Sequence, residues 1–221
     1  MILEQLVFLG LFHFFKIAMM APFKFNVPMF LTWMRILLIP FVIGIFYIPN
    51  SVVSLHERNV LATVFFLIAA ITDALDGFLA RRYAGWATDM GAFLDPVADK
   101  LLVSAALVAL VGLDRCDMLV ALVIIGREIT VSALREWMAK IGASGAVKVN
   151  CLGKIKTIFQ MIAIPLLLWW DSFSLHTEVF WGEVNIAFVG QSLLTMAAIL
   201  TIYSMVVYLK GAREVIKNKT N

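Results

Sequence analysis

The sequence predicts an all-α integral membrane protein with six transmembrane helices and an N-terminal interfacial segment. Of its 221 residues, 62% are hydrophobic and only 15% are charged, which excludes an ordinary soluble domain. Several apolar stretches approach the roughly 20 residues needed to cross a bilayer, and lysine and arginine concentrate in alternate loops. Because no internal repeat, low-complexity tract or linker interrupts the chain, we expect a single membrane domain.

The predicted spans follow the apolar stretches in chain order. They are residues 29–48, 59–80, 91–113, 117–137, 155–171 and 184–209. Upstream of them, residues 6–17 are apolar but short, and Glu4 precedes them where a signal peptide carries positive charge. Residues 1–23 are therefore predicted to be an N-terminal extension whose apolar part forms an interfacial helix.

The distribution of lysine and arginine predicts the orientation of these spans, because short basic loops stay in the cytoplasm. The basic loops of one side carry Lys16, Lys24, Arg81, Arg82, Arg135, Lys140, Lys148, Lys154, Lys156, Lys210, Arg213, Lys217 and Lys219. The other side carries only Arg58 and Arg115, so we expect both chain termini, including a tail at 216–221, in the cytoplasm. In this topology Cys116 and Cys151 lie on opposite sides and do not form a disulfide with each other.

Four aspartates lie within apolar stretches, where an ionised carboxylate costs about 2.5–3.5 kcal/mol or more at the centre of a membrane helix. Asp73 and Asp76 are three residues apart and Asp95 and Asp99 are four apart, so each pair shares one face of its helix. Two such faces that meet across a short loop form an all-oxygen site for a hard divalent cation. The alternative is a set of unrelated polar residues at helix ends.

The third helix is expected to begin at its acids. Pro96 suits a first helical turn, where its missing N–H is not needed, and the positive end of the helix dipole then favours the charged forms of Asp95 and Asp99. Asp73 and Asp76 are expected near the end of the second helix, where the dipole disfavours anions. Cations between the two pairs would offset this asymmetry.

A separate basic cluster is predicted from the fourth and fifth spans. Arg135 follows Arg127 by eight residues, or roughly 80° around a helix, so the two side chains can converge. A buried arginine needs an anion, and Glu128 projects about 100° away from Arg127 on a shorter side chain. With Lys154 and Lys156 across the loop, these cations predict a substrate that carries its own phosphate. Ordinary positive-inside bias is the alternative explanation for the two lysines.

The acidic run has the pattern D-x-x-D-G-x-x-A-R, followed after a spacer by G-x-x-x-D-x-x-x-D. It resembles the signature of the CDP-alcohol phosphotransferases at every fixed position, with a spacer at 82–90 that is one residue longer than usual for the family. The residues that carry the pattern are Asp73, Asp76, Gly77, Ala80, Arg81, Gly91, Asp95 and Asp99. Residues 126–137, 91–100 and 25–28 resemble the bacterial phosphatidylglycerophosphate synthases within this family, and the resemblance covers about residues 24–215.

The resemblance implies the family's six-helix fold over 24–215, usually as a homodimer, in the bacterial cytoplasmic (inner) membrane. It implies transfer of the phosphatidyl group from CDP-diacylglycerol to sn-glycerol 3-phosphate, which yields phosphatidylglycerol phosphate and CMP. The implied cofactor is Mg²⁺ or Mn²⁺, with two ions per site, and the implied environment is the lipid bilayer, with no nucleic acid as a partner. Since family members usually begin near residue 25, translation from Met19 or Met20 is an alternative to an interfacial helix.

The resemblance also assigns roles to individual residues. The implied metal ligands are Asp73, Asp76, Asp95 and Asp99, and Asp99 is alternatively or additionally the general base for the acceptor hydroxyl. The implied CDP pocket contains Asn26, Thr32, Gly77, Ala80, Arg81 and Gly91, and it is bordered by Pro28 and Arg35. Helix capping and interfacial anchoring are the alternative for Asn26, Pro28, Thr32 and Arg35. The acceptor phosphate is expected at Arg127, Arg135, Lys154 and Lys156.

Two rival functions remain open on the sequence. Within the family, the acceptor is alternatively serine or an inositol phosphate, although the paired arginines favour an acceptor that carries phosphate. Outside the family, intramembrane carboxylates also occur in cation transporters. Transporters place such acids nearer the bilayer midplane, on broken helices within paired repeats, and this sequence shows no repeat.

Overall fold

The computed structural model describes residues 27–82, 89–143, 151–171, 173–177 and 180–220. Within these ranges the chain forms six α-helices and one two-stranded hairpin. The helices are α1 (Val27–Gly44), α2 (Leu55–Arg82), α3 (Asp89–Gly112), α4 (Met118–Lys140), α5 (Cys151–Trp169) and α6 (Ile186–Thr220), and a short 3-10 turn (Ile45–Tyr47) follows α1. Each predicted span overlaps a different one of these helices, so the helical part of the prediction is confirmed.

Three of the described helices contain stretches that are long and apolar enough to cross a membrane. These stretches are Met29–Tyr47, Leu55–Leu75 and Ile186–Arg213, and a further apolar helix, Ile155–Trp169, is shorter. The described parts of α3 and α4 carry charged residues inside the predicted spans, which shortens their uninterrupted apolar stretches. The structure thus agrees with a helical membrane protein, and the number of six spans stays a prediction.

A short hairpin between α5 and α6 adds two strands to the predicted helical fold. β1 (Phe173–Thr177) pairs antiparallel with β2 (Phe180–Val184), and Phe173 lies opposite Val184. Aromatic and β-branched residues favour such extended pairing. The strands are only five residues each, so the apolar character of the flanking helices dominates the sequence signal in this region.

The helices pack around a core to which all six contribute. Its largest fully buried apolar side chains include Phe66, Leu107, Ile164 and Leu167. The backbone of α6 at Gly190 lies close to the side chain of Leu167 on α5, where an added Cβ atom would be 2.9 Å away. Small residues permit this close approach between membrane helices, so Gly190 fixes how α6 lies against α5.

The position of α1 decides where the acidic residues meet. α1 packs against both α2 and α3, whereas the described residues of α2 and α3 contact each other less. α1 therefore lies between the two helices that carry the aspartates, and its buried face points polar side chains, Thr32 and Arg35, toward them.

At the α3–α4 connection, the buried Arg115 forms hydrogen bonds to two other helices, α2 and α5. Arg115 donates hydrogen bonds to the carbonyl oxygens of Leu167 (3.2 Å) and Leu168 (2.8 Å) near the end of α5, and to Asn59 Oδ1 (2.8 Å) on α2. A cation at a helix C-terminus is favoured by the helix dipole and satisfies carbonyl groups that lack helical partners. The neighbouring Cys116 is a buried free thiol, as predicted, while the side chain of Cys151 lies outside the described part of the structure.

Candidate active site

The acidic cluster is organised around one arginine. Arg35 on α1 is fully buried, and its Nη1 atom donates to Asp73 Oδ1 on α2 at 2.8 Å and also to Asp99 Oδ1 on α3. The two carboxylates are themselves partly exposed, with 37% and 43% of their side-chain surfaces accessible. Carboxylate oxygens from two different helices therefore converge on a single nitrogen atom.

The third described aspartate is held by a hydroxyl from the same helix as Arg35. Thr32 Oγ1 donates to Asp95 Oδ1 at 2.6 Å, and Thr32 is buried. Thr32 and Arg35 are three residues apart on α1, so both side chains leave the same face of the helix. Through this face α1 binds one carboxylate of α2 and two of α3.

These contacts correct the expected place of the acids within α3. The helix begins at Asp89, so Asp95 and Asp99 lie in its second and third turns, and Pro96 is inside the helix rather than in the first turn. The helix dipole acts mainly on the first turn, so it does not explain the charge of these carboxylates. Their direct partners are Thr32, which donates to Asp95, and Arg35, which donates to Asp99.

Asp73 and Asp99 come together through Arg35 of α1, and a metal site formed by all four aspartates stays a prediction. Capping and interfacial anchoring, the alternative for Thr32 and Arg35, is excluded by the same contacts. The sequence did contain the signal for this arrangement. Arg35 lies inside an otherwise apolar span, and a buried arginine requires an anion.

The donor chemistry of this cluster fits a hard divalent cation. Asp73, Asp95 and Asp99 supply carboxylate oxygens, which are the preferred ligands of Mg²⁺ and Mn²⁺, and two of them already converge on one positively charged atom. Among the described residues, no group of three acidic, histidine or cysteine side chains is arranged as a metal site. The side chain of Asp76, the fourth predicted ligand, is outside the described structure.

Several predicted residues of the CDP pocket also lie beyond the described part. Asn26 is outside it altogether, and the backbones but not the side-chain surroundings are described for Pro28, Ala80, Arg81 and Gly91. Gly77 is half-buried on α2, one turn after Asp73, and so lies on the same face as that aspartate. Of the predicted CDP-binding residues, Thr32 and Gly77 are thus placed beside the acidic cluster.

The predicted basic residues form a second buried network around Arg127. Arg127 Nη1 donates to Glu128 Oε1 at 3.1 Å, and its Nη2 donates to Ser204 Oγ on α6, also at 3.1 Å. Lys156 Nζ on α5 donates to the same Glu128 oxygen. The guanidinium of Arg127 also lies 5.4 Å from the ring centre of Tyr208, within cation–π range.

The prediction that Glu128 projects away from Arg127 is therefore wrong. Its carboxylate contacts Arg127 and also accepts from Lys156 on α5. The angle of about 100° between adjacent helix positions describes the directions of the Cα–Cβ bonds. The long side chain of Arg127 can bridge the distance that this angle creates at the helix surface. Arg127 therefore has an anionic partner within the protein, the carboxylate of Glu128.

Arg135 joins the network through the same tyrosine. Its Nη2 donates to Tyr208 Oη at 3.2 Å, and its guanidinium lies 5.4 Å from the ring centre, so Arg127 and Arg135 converge on Tyr208 as their spacing predicts. The side chain of Lys154 lies outside the described structure.

Polar atoms with unused hydrogen-bonding capacity accompany this network. In the described part of the chain, Arg127 Nε, Gln160 Nε2 and Thr201 Oγ1 are buried without a hydrogen-bond partner. Gln160 lies one turn beyond Lys156 on α5, and Thr201 lies one turn before Ser204 on α6. Since buried polar atoms are normally paired, this region is suited to a polar ligand.

The family profile for CDP-alcohol phosphatidyltransferase matches residues 25–203, which include the acidic cluster and Arg127. The chain belongs to this family. A protein of Salmonella choleraesuis (strain SC-B67) named CDP-diacylglycerol–glycerol-3-phosphate 3-phosphatidyltransferase is 43% identical over 192 residues, or 86% of this chain and 96% of the relative. A protein of the same name from Haemophilus influenzae is 44% identical over 192 residues, which cover 86% of this chain and 95% of the relative. No solved structure matches the chain significantly.

Proposed function

We propose that this protein transfers the phosphatidyl group of CDP-diacylglycerol to the hydroxyl of sn-glycerol 3-phosphate, which releases CMP and yields phosphatidylglycerol phosphate. The observation that carries the proposal is the convergence of carboxylates from α2 and α3 on one nitrogen of Arg35. The family membership and the printed name of the bacterial relatives support the reaction.

The acidic cluster is the proposed place of the pyrophosphate of the donor. Asp73, Asp76, Asp95 and Asp99 would hold Mg²⁺ or Mn²⁺, which when bound neutralises pyrophosphate charge and favours in-line displacement. Thr32 and Arg35 keep the carboxylates of α2 and α3 in register with one another. Asn26, Gly77, Ala80, Arg81 and Gly91 complete the proposed CDP pocket, in which small residues leave room for the nucleotide.

The acceptor phosphate is proposed to lie at the basic network. Arg127, Arg135 and Lys156 supply cationic donors there, and Lys154 is proposed to join them. Charge-assisted hydrogen bonds from arginine match the oxygen geometry of a phosphate group. A neutral or zwitterionic alcohol such as serine gains little from such a site.

Asp99 is the proposed general base. Its carboxylate would accept the proton of the acceptor hydroxyl as the oxygen attacks the lipid-bearing phosphorus, and CMP would leave on the opposite side. A carboxylate is a weak base toward an alcohol, so its contribution depends on position. Asp99→Asn retains the size of the side chain and removes the base, so turnover in this variant close to that of the unmodified protein would contradict the role.

The protein is proposed to have a defined orientation in the membrane. The six helices are proposed to span the bacterial cytoplasmic membrane as a domain of residues 24–215, with both termini and the acidic cluster on the cytoplasmic side. The basic loops and the three apolar spans support this orientation. Residues 1–23 are proposed to be an extension of this domain, and the protein is proposed to act as a homodimer, as is usual in the family.

The reaction is tested by CMP release from purified protein in detergent with CDP-diacylglycerol and Mg²⁺. Glycerol 3-phosphate, serine, myo-inositol 1-phosphate and no acceptor are compared. We expect release that depends on glycerol 3-phosphate. Release that depends on another acceptor, or no release from folded protein, would contradict the proposed reaction.

The matched control for this assay is Asp95→Asn, which keeps the side-chain volume and the hydrogen bond from Thr32 while removing the charge. We expect CMP release to fall to background in this variant. Arg58→Met serves as the control for nonspecific damage, because Arg58 is buried and, in the described part of the chain, donates to the backbone oxygens of Phe46 and Ile48. Its folded fraction should retain acceptor-dependent release.

A further inference from the structure

We propose that Glu128 is a specificity-determining residue of the acceptor site, whose carboxylate pairs with Arg127 and Lys156 until a phosphate monoester displaces it. This inference rests on the proposed function, because it concerns the same basic network. It adds an internal competitor to that network, so that only an acceptor with sufficient negative charge can occupy it.

The geometry places one anionic atom between two cations. Glu128 Oε1 accepts from Arg127 Nη1 at 3.1 Å and from Lys156 Nζ, so a single oxygen joins α4 to α5. The remaining donors of Arg127 point elsewhere: Nη2 donates to Ser204 Oγ, and Nε is buried without a partner in the described structure. The site therefore has more donors than the carboxylate uses.

Burial shows which member of the network a solute can reach. The side chains of Arg127 and Lys156 are only 5% and 2% exposed, whereas that of Glu128 is 24% exposed. Of these three side chains, the anion is therefore the most accessible to a solute. A phosphate that approaches the two buried cations must move this carboxylate aside.

The balance of charges favours the exchange for a phosphate. Arg127, Arg135 and Lys156 carry three positive charges against the single negative charge of Glu128. A phosphate monoester brings about two negative charges near neutral pH and three acceptor oxygens, so it can replace the carboxylate and also bond Arg127 Nε. A neutral alcohol that displaced Glu128 would leave buried cations unpaired, which is strongly unfavourable.

This exchange gives Glu128 two effects on the protein. Without acceptor, it neutralises cations that would otherwise lie buried and unpaired. With acceptor present, it raises the concentration of phosphate needed for occupancy and penalises every weaker anion, since discrimination can come from rejecting the wrong ligand as well as binding the right one.

The test is the affinity of the purified full chain for inorganic phosphate, measured by calorimetry without CDP-diacylglycerol. Glu128→Gln is compared with the unmodified protein and with Glu136→Gln. Glu136 is a matched control because it lies on the same helix, is 70% exposed and pairs with Lys140 at 2.8 Å. Both substitutions remove one negative charge from α4.

We expect Glu128→Gln to bind inorganic phosphate about tenfold more tightly, the equivalent of one charge-assisted hydrogen bond that no longer has to be broken. Glu136→Gln should stay within about twofold of the unmodified protein. Equal or weaker phosphate affinity in Glu128→Gln would overturn the proposal. If Glu128→Gln does not fold, Glu128→Asp, whose shorter side chain pairs less well, should bind phosphate more tightly, and unchanged affinity there would overturn it.

The calorimetry also separates this inference from the proposed reaction. Acceptor-dependent CMP release together with unchanged phosphate affinity in Glu128→Gln would remove the role of Glu128 alone. Tighter phosphate binding in that variant, with CMP release that does not depend on glycerol 3-phosphate, would support Glu128 as an internal competitor at an anion site and contradict the proposed acceptor.

Discussion

The acidic cluster and the basic network each contain one residue of the opposite charge, and these two residues are held in different ways. Arg35 reaches the carboxylates from α1, a third helix, and is fully buried. Glu128 comes from the same helix as Arg127, its immediate neighbour, and keeps 24% of its side-chain surface exposed. One counter-ion is enclosed between helices, and the other lies at the accessible edge of its cluster.

This difference indicates that Arg35 is a framework residue, which stays in place when a ligand binds, whereas Glu128 can be exchanged for a ligand. Removing one partner of a buried ion pair costs about 3–5 kcal/mol, because the charge left behind has no water to replace it. The side chain of Arg35 is 0% exposed, whereas that of Glu128 already has contact with solvent. The acidic cluster thus keeps its arginine during ligand binding, and the basic network releases its carboxylate.

The largest effect is expected from Arg35→Met. The substitution preserves apolar volume but leaves Asp73 and Asp99 without their shared cation. We expect a loss in the free energy of unfolding below the about 3–5 kcal/mol of a fully buried pair, because the two carboxylates keep 37% and 43% of their side-chain surfaces accessible. CMP release should fall to near background. Unfolding in denaturant followed by circular dichroism gives the first quantity.

Added Mg²⁺ tests whether repulsion between the carboxylates causes this loss of stability. If carboxylate repulsion causes the loss, Mg²⁺ should raise the midpoint of thermal unfolding more in Arg35→Met than in the unmodified protein, since a ligand that binds the folded state stabilises it. Arg58→Met, which lacks contact with the acids, should show no such extra shift. Turnover in Arg35→Met equal to that of the unmodified protein would contradict the framework role.

A smaller effect is expected from Thr32→Val, which removes the hydroxyl that donates to Asp95. Loss of a hydrogen bond to a charged group costs about 1.5–3 kcal/mol, so we expect turnover to fall by roughly tenfold or more and the Mg²⁺ concentration for half-maximal activity to rise. Steady-state CMP release across a Mg²⁺ series measures both. Thr32→Ser retains the hydroxyl and should behave like the unmodified protein; equal defects in both variants would attribute the effect to packing.

The remaining effect concerns the α3–α4 connection, which lies outside both clusters. Burial, followed by the nearby Asp117 carboxylate, raises the pKa of the Cys116 thiol from its ordinary value of 9.0 to about 11. In a Cys151→Ser background at pH 8, alkylation by iodoacetamide should be about a hundredfold slower in the folded than in the unfolded protein, because the thiolate is the reactive form.

The raised pKa of Cys116 also determines how the stability of the folded protein changes with pH. Below pH 9 the Cys116 thiol is protonated in both the folded and the unfolded protein, so it does not change the free energy of unfolding with pH. As pH rises from 9 toward 11, the unfolded protein loses this proton more readily, so the free energy of unfolding falls. The alkylation rate of the folded protein should therefore keep rising up to about pH 11. Rapid labelling of Cys116 at pH 8 would show that the loop opens and that its burial is not maintained.

Much of this fold follows from the sequence, because membrane helices have a strong and simple signature. The six apolar stretches predict where the helices lie, and the acidic motif identifies the cluster on α2 and α3. The hairpin between α5 and α6 escaped prediction because its strands, Phe173–Thr177 and Phe180–Val184, are short segments between two long apolar helices. The start of α3 was misplaced because Pro96, a frequent first-turn residue, is tolerated here in the second turn.

The pairing within each cluster could not be predicted from spacing along a single helix. Which helix lies between two others depends on packing of the whole bundle, so the contact of Arg35 with both Asp73 and Asp99 required the position of α1. The contact of Glu128 with Arg127 required a third participant, Lys156 on α5, which fixes the carboxylate. In both cases a buried charge was visible in the sequence, while its partner was not.

The central claim is that the two clusters serve different substrates, with the donor at the acids and the acceptor phosphate at the basic network. The most direct measurement is the Michaelis constant of Arg135→Gln for glycerol 3-phosphate at saturating CDP-diacylglycerol. Arg135 is exposed and bonds only Tyr208 in the described structure, so its loss spares the fold. The account predicts a Michaelis constant for glycerol 3-phosphate about tenfold higher or more, with that for CDP-diacylglycerol within about twofold. An unchanged value for glycerol 3-phosphate, or a rise confined to CDP-diacylglycerol, would contradict it.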